Sequence, residues 1–374
     1  MEKLNVALVI PTHFDLYSSL NNLLKVYMHL MKSKDVKVTI FTDKKNAVDC
    51  DDFGIEKISG IDYGTILEKA LFVLGMPRFY YAGLIAKLKG YDVIESSNPE
   101  FYGFAYQSYM AAKKYNARLV YRTSQTVEGF YLFKATKYLI APIAKKAYAY
   151  ASFLLFTNPQ AEDRCIKLGL MKNKEKSIVI GHATDTKCFK PMKAKKSKRK
   201  ILLSVGGLYK IKGHHLIIKA LKKVLDNGND AELWIVGDGY YKNYLIRLAR
   251  RLDVEGRVKF LGNKSHLELA RIYNSSDVFV LANYQEMTPA ANEAMACGIP
   301  VVAMQCGGDR FVIPGSDFGL IAKKFDVEDI ASKIILLLES KEMYNKISKN
   351  GRTHIVNNFS IENVAEKIYR SFTE

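Results

Sequence analysis

NYQEMTPAANEAMACGIPVVAMQCGG, from Asn283 to Gly308, has the pattern of a strand end, a turn, a short helix, a buried strand and a glycine turn. It follows the apolar run VFVLA and contains PVVAM, and each run has the length of a buried strand. Thr288 suits an N-cap, Pro289 suits the first helical position, and Gly298 is placed to end the helix. The segment therefore predicts a parallel crossover in which a short helix joins two strands.

The start of this predicted helix is a candidate anion site. A helix that begins at the carboxyl end of a parallel strand directs unpaired N–H groups and its positive dipole end into the crevice where such sheets bind ligands. We therefore expect an anion in front of Thr288 to Ala291. Glu293, in the first turns, and Glu286, in the preceding loop, are placed to accept hydrogen bonds from sugar hydroxyls. The alternative is that both glutamates only cap and solvate the helix.

Length and composition predict a globular protein with two domains. The chain has 374 residues, of which 48% are hydrophobic and 25% are charged. Its five cysteines are scattered, which argues against a disulfide framework or a zinc site and fits a reducing compartment. The first apolar run ends at Pro11, so we expect a buried strand there and not a signal peptide. No run approaches the roughly 18 apolar residues of a spanning helix, and we expect a cytoplasmic protein.

The formal net charge of +18 favours anionic partners such as phosphorylated substrates, anionic lipid or nucleic acid. A lysine-rich surface that only maintains solubility is the alternative. Aromatic residues alternate with lysines at 63–89 and 130–150, a pattern shared by membrane-interface segments and by core-facing helices with a basic exposed side. The basic run from Lys190 to Lys200 has no apolar period and is predicted to be the linker between the domains.

Short apolar strands alternate with helical stretches through the first half of the chain. The predicted strands are NVALVI, VKVTIFT, YDVIESS, ARLVYRTS, FLLFTN and SIVIGHATD. This alternation predicts a parallel, doubly wound sheet covered on both faces. Because the dinucleotide-binding glycine fingerprint is missing, a dehydrogenase is disfavoured. His13, after the first strand, is either an acceptor-side group or a polar loop residue.

A glycine turn opens the second half of the chain. The stretch ILLSVGGLYKIKGHHLIIKAL, from Ile201 to Leu221, predicts a buried strand, a turn and an amphipathic helix. Gly206 and Gly207 allow a phosphate to approach the backbone closely, and Lys212 places a point charge beside it. Two more predicted strands follow, within ELWIVGDGYY and RVKFLGN.

The run EAMACGIPVV, with the glycine pair after it, closely resembles the nucleotide-sugar site of the retaining glycosyltransferases of family 4, the glycosyl transferases group 1. The resemblance covers essentially the whole second half of the chain and more loosely the first. It implies the GT-B fold, with two Rossmann-like, doubly wound parallel-sheet domains facing a cleft. On this basis we predict an acceptor-side domain at 1–190, completed by a helix at about 358–374 that packs back onto it, and a nucleotide-sugar domain at 191–357.

The resemblance also assigns roles to single residues. The family usually has two glutamates separated by seven residues; the second, which holds the ribose, is matched by Glu293. At the first position, which faces the donor sugar, stands Gln285, with Glu286 one place later. A diphosphate-binding lysine is matched by Lys212, whereas a glycine stands where an arginine is expected. The candidates are Lys212, Glu286 and Gln285 for catalysis; Gly206, Gly207, Lys210, Lys212, Met287, Thr288, Pro289, Ala290 and Glu293 for donor binding; Gly237, Leu261, Gly262 and Asn263 for the nucleotide base; and His13, Ser124 and His182 for the acceptor.

Together these features predict a metal-independent, retaining glycosyltransferase without a cofactor, whose donor substrate is a nucleotide-diphosphate sugar. The expected acceptor is a lipid-linked or cell-surface glycan precursor, and the expected location is the cytoplasm, at the inner face of an anionic membrane. No nucleic acid partner is expected. Two alternatives stay open: a GT-B sugar-nucleotide epimerase, and a non-catalytic sugar-nucleotide or nucleic-acid binding protein. The family often has a glycine pair after the first strand, where Ser18 and Ser19 are the nearest equivalents here. This departure and those at Gln285 and Gly207 leave room for the second alternative.

Overall fold

The chain divides into two compact units, each built on a parallel β-sheet. The computed structural model describes residues 3–10, 19–44, 52–60, 80–99, 103–123, 142, 144–194 and 197–374. The first unit comprises Met1–Ala183 and Ile361–Glu374, and the second comprises Thr184–Ser360. Because helices cover both faces of each sheet, the predicted class of two doubly wound, Rossmann-like domains is confirmed.

The first unit has a seven-stranded sheet in the order β3-β2-β1-β4-β5-β6-β7, with every neighbouring pair parallel. Its strands are β1 (Leu4–Val9), β2 (Val36–Asp43), β3 (Gly54–Ile58), β4 (Val93–Ser96), β5 (Arg118–Thr123), β6 (Phe153–Phe156) and β7 (Ser177–Val179). Its helices are α1 (Ser19–Ser33), α2 (Leu84–Lys87), α3 (Gly103–Tyr115), α4 (Pro159–Lys167) and α12 (Ile361–Thr373), with further helical residues at 144–150.

Successive side chains of each central strand enter opposite cores, as a sheet buried on both faces requires. In β1, Ala7 and Val9 pack on the side of α3, whereas Val6 and Leu8 pack on the side of α1 and α12. The apolar face of α12, which includes Ile368, is buried in that second core. The final helix is therefore part of the first unit, although 177 residues of the second unit precede it in the chain.

The second unit has a six-stranded parallel sheet in the order β10-β9-β8-β11-β12-β13. Its strands are β8 (Lys200–Val205), β9 (Ala231–Val236), β10 (Val258–Gly262), β11 (Val278–Leu281), β12 (Val301–Met304) and β13 (Leu320–Ala322). Its helices are α5 (His214–Asp226), α6 (Lys242–Arg251), α7 (His266–Ser275), α8 (Pro289–Ala296), α9 (Asp309–Val312), α10 (Val327–Glu339) and α11 (Lys341–Phe359).

Two helical layers cover this second sheet. Side chains of α5, α6 and α10 form one core with the sheet, and side chains of α7, α8 and α11 form the other. The strand order reverses between β8 and β11, which are hydrogen-bonded neighbours. Ligands of open α/β sheets bind beyond the carboxyl ends of the strands at such a reversal. The loops that follow β8 and β11 are therefore the expected ligand-binding region.

The division between the units differs from the predicted boundaries at 190/191 and 357/358. The chain crosses at Ala183/Thr184 and again at Ser360/Ile361. Phe189 explains the first difference, because its ring is fully buried in the core that α7, α8 and α11 form in the second unit. There it packs edge-on against Tyr273, with the ring centroids 5.8 Å apart. The basic run at 190–200, predicted to be the linker, consequently lies within the second unit, where Arg199 pairs with Glu232.

Two properties of the described residues bear on partners. Within the described ranges, no helix combines the length and apolar character needed to cross a membrane. The same part of the chain has no group of three or more His, Cys, Asp or Glu side chains able to hold a metal ion.

Candidate functional site

The loop after β8 folds back against the end of β11 and forms the floor of the candidate site. Gly213 has a φ of 71°, and a Cβ there would lie 2.0 Å from the carbonyl oxygen of Ala282. Only glycine combines this left-handed backbone with so close an approach. The short 3₁₀ turn Lys210–Lys212 is thereby pressed against β11, as the hydrogen bond from Tyr284 N to Ile211 O shows.

Lys212 and Glu286 form the charged pair of this floor. Burial lowers the pKa of Lys212, and the nearby Glu286 carboxylate opposes that shift. Burial likewise raises the pKa of Glu286 to about 7, against the effect of Lys212. Gln285, by contrast, has an exposed side chain. Of the two residues that compete for the sugar-facing position, it is therefore Glu286 whose side chain lies beside the lysine.

The backbone around Glu286 is fixed by the glycine turn after β12. Gly307 N donates to Gln285 O at 2.7 Å, and Met287 N donates to Gly307 O at 2.8 Å, so a short parallel bridge holds the loop. Asn283 Nδ2 also donates to Glu286 O at 2.7 Å. These three hydrogen bonds fix the backbone of residues 285–287, and the residue spacing did not reveal them.

The first turn of α8 lies directly after this loop. Thr288 occupies the predicted N-cap position and Pro289 the first turn, but the Thr288 hydroxyl makes no capping hydrogen bond. Thr288 Oγ1 and Asn283 Oδ1 are buried atoms without a hydrogen-bond partner among the described residues. Buried polar atoms are nearly always paired in folded proteins. Two unpaired oxygen atoms beside a helix N-terminus are suited to contact a bound ligand.

Glu293 is buried one turn further along α8, at 4% exposure. The Tyr273 hydroxyl lies 2.9 Å from Glu293 Oε2 and 3.1 Å from Ala290 O. Burial raises the pKa of Glu293 to about 7, whereas the hydrogen bond from Tyr273 lowers it. Tyr273 belongs to α7, and sequence reasoning missed it because it sits among apolar residues of a helix. The carboxylate is thus held by one partner and keeps capacity for further hydrogen bonds.

His214 is a second residue that sequence reasoning missed. It is the first residue of α5 and is 1% exposed, with Nδ1 3.1 Å from Ser204 Oγ. Burial lowers its pKa to about 4, so the ring is neutral near pH 7. Nε2 would lie 3.9 Å from a Cβ on Gly206 and makes no well-aligned hydrogen bond within the described residues. The glycine turn is therefore lined by a neutral imidazole as well as by Lys212.

The other predicted residues are distributed around this site. A Cβ on Gly237 would lie 2.1 Å from Gly206 O, and Gly237 N donates to Gly262 O, so the ends of β8, β9 and β10 meet. Leu261 is half-buried against the core, and Asn263 is exposed. The Met287 side chain packs into the core at 3% exposure, so only the backbone of Met287 is available to contact a donor.

Three predicted residues lie elsewhere or outside the described residues. His182 follows β7 in the first unit, where burial lowers its pKa to about 4. His13 and Ser124 lie outside the described residues. Lys210 is exposed, and Gly207 is covered by the Tyr209 ring, because a Cβ on Gly207 would lie 2.5 Å from it.

The sequence relatives match about half of the chain. Residues 185–354 match the family model described as glycosyl transferases group 1. An uncharacterized glycosyltransferase of Haemophilus influenzae is 27% identical over 214 residues, which is 54% of this chain and 60% of that protein. N-acetyl-alpha-D-glucosaminyl L-malate synthase of Bacillus anthracis is 29% identical over 169 residues, 45% of this chain and 44% of the enzyme. The chain spans about half the length of these curated relatives.

Solved structures match over the whole chain. Anabaena Alr3699/HepE in complex with UDP has a TM-score of 0.79 at 16% identity, with 99% of both chains covered. A glycosyltransferase of Rickettsia africae has a TM-score of 0.77 at 18% identity, covering 100% of this chain and 98% of that one. Residues 185–354 of the second unit are thus similar to the glycosyl transferases group 1 family, and the chain has the GT-B fold of its structural neighbours.

Proposed function

We propose that this protein is a retaining glycosyltransferase of family 4 that transfers a sugar from a nucleotide-diphosphate sugar to an acceptor hydroxyl. The observation that carries the proposal is the buried carboxylate of Glu293 in α8, which accepts a hydrogen bond from Tyr273 of α7. At the N-terminus of the same helix α8, Thr288 Oγ1 has no hydrogen-bond partner among the described residues. The match of residues 185–354 to the family model supports the donor-binding role of the second unit.

In this proposal the second unit binds the donor in three parts. Glu293 accepts hydrogen bonds from the ribose hydroxyls, since its ionised form is disfavoured by burial and gains from each added donor. Lys212 and the N-terminus of α8 bind the diphosphate, with the unpaired Thr288 hydroxyl beside it. The UDP bound to the structural neighbour HepE supports a nucleoside diphosphate as the ligand class.

The proposed reaction breaks the bond between the anomeric carbon of the donor sugar and the diphosphate oxygen, which leaves with both bonding electrons. The acceptor oxygen bonds to the same face of that carbon, and its proton passes to the leaving phosphate. Because negative charge grows on the diphosphate, Lys212 and the α8 dipole stabilise the transition state, and the proposal requires no metal. Glu286, beside Lys212, contacts the donor sugar in place of Gln285.

The acceptor in this proposal is a lipid-linked glycan precursor at an anionic membrane surface, with the protein peripheral on its cytoplasmic side. The net charge of +18 supports it, as do exposed lysines on one side of the first unit. Lys113 and Lys114 end α3, and Lys145 and Lys146 lie on the adjoining helical residues, which Tyr150 connects through its hydrogen bond to Ala112 O. Lys134 and Lys137, in the aromatic and lysine-rich segment 130–150, belong to the same proposed surface by sequence but lie outside the described residues.

Thermal stabilisation by a panel of UDP-, GDP- and ADP-sugars tests the donor assignment, since a ligand that binds only the native state raises the melting temperature. We expect one nucleotide class to stabilise the wild type and to lose this effect in Glu293→Ala. Glu342→Ala, which removes an exposed carboxylate from α11, is the matched control and should respond like the wild type. Stabilisation by no sugar nucleotide, or an equal shift in Glu293→Ala, would contradict the proposal. Conversion of the donor sugar without any acceptor would instead support an epimerase.

A further inference from the structure

An aromatic strip lies at the carboxyl edge of the second sheet, on the side of α5 and α6. We define it by six rings from separate loops and one helix. The rings are Tyr209 after β8, Tyr240 and Tyr241 after β9, Tyr244 in α6, Tyr284 after β11 and Phe325 after β13. Aromatic residues from four different connections thus converge on one surface, which no single amphipathic element would produce.

The rings contact one another in two chains. The centroid distances are 5.4 Å for Tyr209 and Tyr240, 6.2 Å for Tyr240 and Tyr241, and 4.5 Å for the stacked pair Tyr241 and Tyr244. At the other end, Tyr284 and Phe325 are perpendicular at 4.8 Å. His215 connects the two chains, at 5.8 Å from Tyr241 and 6.1 Å from Tyr284. The strip is therefore continuous.

Three of these rings are exposed to a degree that packing does not explain. Tyr240 is 76% exposed, Phe325 51% and Tyr209 44%. Phe325 also has a φ of 61°, a left-handed conformation that strains a bulky residue. An exposed aromatic ring and a strained backbone both oppose stability at this one residue. Such a combination indicates a binding function.

Three exposed lysines lie beside the strip, and the acidic side chains of the same loops are engaged: Asp238 pairs with Lys242, and Asp326 caps α10. Lys210, Lys323 and Lys324 are exposed in the same loops, and among the described residues none of the three ammonium groups forms an ion pair. Lys324 Nζ lies 5.5 Å from the centre of the Phe325 ring. Five of the six rings are tyrosines, and the exposed aliphatic side chains Leu267 and Leu336 lie on helices outside the strip. A bilayer-inserting surface would include aliphatic side chains of that kind.

The strip begins at the candidate donor site. The Tyr209 ring covers Gly207 of the glycine turn, and Tyr284 immediately precedes Gln285 and Glu286. A chain-like ligand lying on the strip would therefore have one end close to the proposed position of the donor sugar. This favours a glycan over a ligand unrelated to the transfer.

We propose that the aromatic strip docks an acidic oligosaccharide, the acceptor chain of the proposed transfer. Flat C–H faces of pyranose rings pack on the exposed aromatic rings, while the sugar hydroxyls stay hydrated. The three lysines pair with carboxylate or phosphate groups of the chain. The inference rests on the proposed function, because it assigns this surface to the acceptor of that reaction.

Calorimetric titration with pentagalacturonate, uncharged maltopentaose and phosphatidylglycerol vesicles tests the assignment. We expect the wild type to bind pentagalacturonate more tightly than maltopentaose. Tyr240→Ala and Phe325→Gly should each weaken binding at least about fivefold and together more than about twentyfold, as the loss of one and two stacked rings would. Leu336→Ala, which removes an exposed apolar side chain outside the strip, should bind like the wild type.

These variants keep every charge, so a change in affinity cannot come from general attraction to a basic protein. Phe325→Gly also relieves the left-handed strain, so its melting temperature should equal or exceed that of the wild type. Unchanged pentagalacturonate affinity in the double variant would overturn the proposal, as would vesicle binding that depends on the two rings without oligosaccharide binding. Stabilisation by a sugar nucleotide is measured separately and should persist in both variants, so failure here is distinguishable from failure of the donor assignment.

Discussion

The hydroxyl group of Tyr273 lies 2.9 Å from Glu293 Oε2, and both side chains are buried. The tyrosine comes from α7 and the glutamate from α8, so the contact fixes the carboxylate relative to a neighbouring helix. The pKa of Tyr273 is raised well above its usual value by burial and by the Glu293 carboxylate, so the hydroxyl remains a donor throughout the neutral range. This pair orients the group that we assign to the ribose.

Replacing Tyr273 by phenylalanine should weaken nucleotide binding by roughly tenfold, the value of one hydrogen bond to a charged group. Loss of the donor also raises the pKa of Glu293, so the pH at which binding is half-maximal should move upward. Titration of UDP at a series of pH values measures both effects. Tyr344→Phe, at a partly buried tyrosine of α11, is the control. Identical pH profiles for Tyr273→Phe and the wild type would show that the hydroxyl does not position the carboxylate.

The contribution of Glu293 to the stability of the ligand-free protein should fall as pH rises from about 4.5 to about 7. Glu293 has a folded-state pKa of about 7, above its usual 4.5, so the native state binds more protons than the unfolded state in this window. Ionisation of Glu293 therefore lowers the free energy of unfolding, by about 2–3 kcal/mol across this window. Denaturant unfolding across the window should show that the wild type loses stability relative to Glu293→Gln as the pH rises, because the buried histidines contribute equally to both proteins. Parallel curves for the two proteins would mean that Glu293 ionises normally.

Lys212 and Lys210 lie two residues apart and should contribute unequally to diphosphate binding. Lys212 is half-buried beside Glu286, whereas Lys210 is exposed to solvent. Lys212→Ala should weaken UDP binding by roughly ten- to a hundredfold, as expected for a charge-assisted contact, and should leave uridine binding unchanged. Lys210→Ala should reduce UDP affinity by no more than about threefold, because an exposed charge is screened. Equal losses in the two variants would instead assign Lys210 to the phosphates.

Gly213→Ala should destabilise the second unit by about 3 kcal/mol or more, because the new Cβ would collide with the carbonyl oxygen of Ala282 in addition to straining the backbone. Gly228→Ala is the matched control. Gly228 has a comparable φ of 87° but nothing within 4 Å of a Cβ, so only the backbone strain of about 1–2 kcal/mol applies. Chemical denaturation of the two variants gives the difference, and equal values would remove the close approach as the reason for glycine at 213.

Sequence periodicity predicted the strands that are apolar along their whole length, because a strand buried on both faces has a continuous apolar run. It did not predict β3 (Gly54–Ile58), a sheet-edge strand with two exposed charged residues, or the three-residue β13. The motif around Glu293 predicted a strand–helix–strand crossover, and β11, α8 and β12 form it. It could not show that Glu286 rather than Gln285 lies beside Lys212, since a backbone bridge to Gly307 determines this.

Long-range contacts account for the remaining differences. Tyr273 and His214 occupy helical positions that also suit a core, so spacing alone does not distinguish a positioning group from a packing one. The domain boundary likewise depends on where Phe189 packs, which is a tertiary property. Periodicity cannot identify a residue whose role depends on a partner far away in the chain.

The chain crosses between its two units twice, so the second unit is one continuous segment and the first is assembled from two. During synthesis, every residue of the second unit emerges from the ribosome before Ile361–Glu374 does. The core of the first unit on the side of α1, which includes side chains of α12, is completed only after those residues are available. Until then, the apolar surface of α1 and of the first sheet that α12 covers in the folded protein stays exposed. A nascent chain at that stage has a surface suited to chaperone binding.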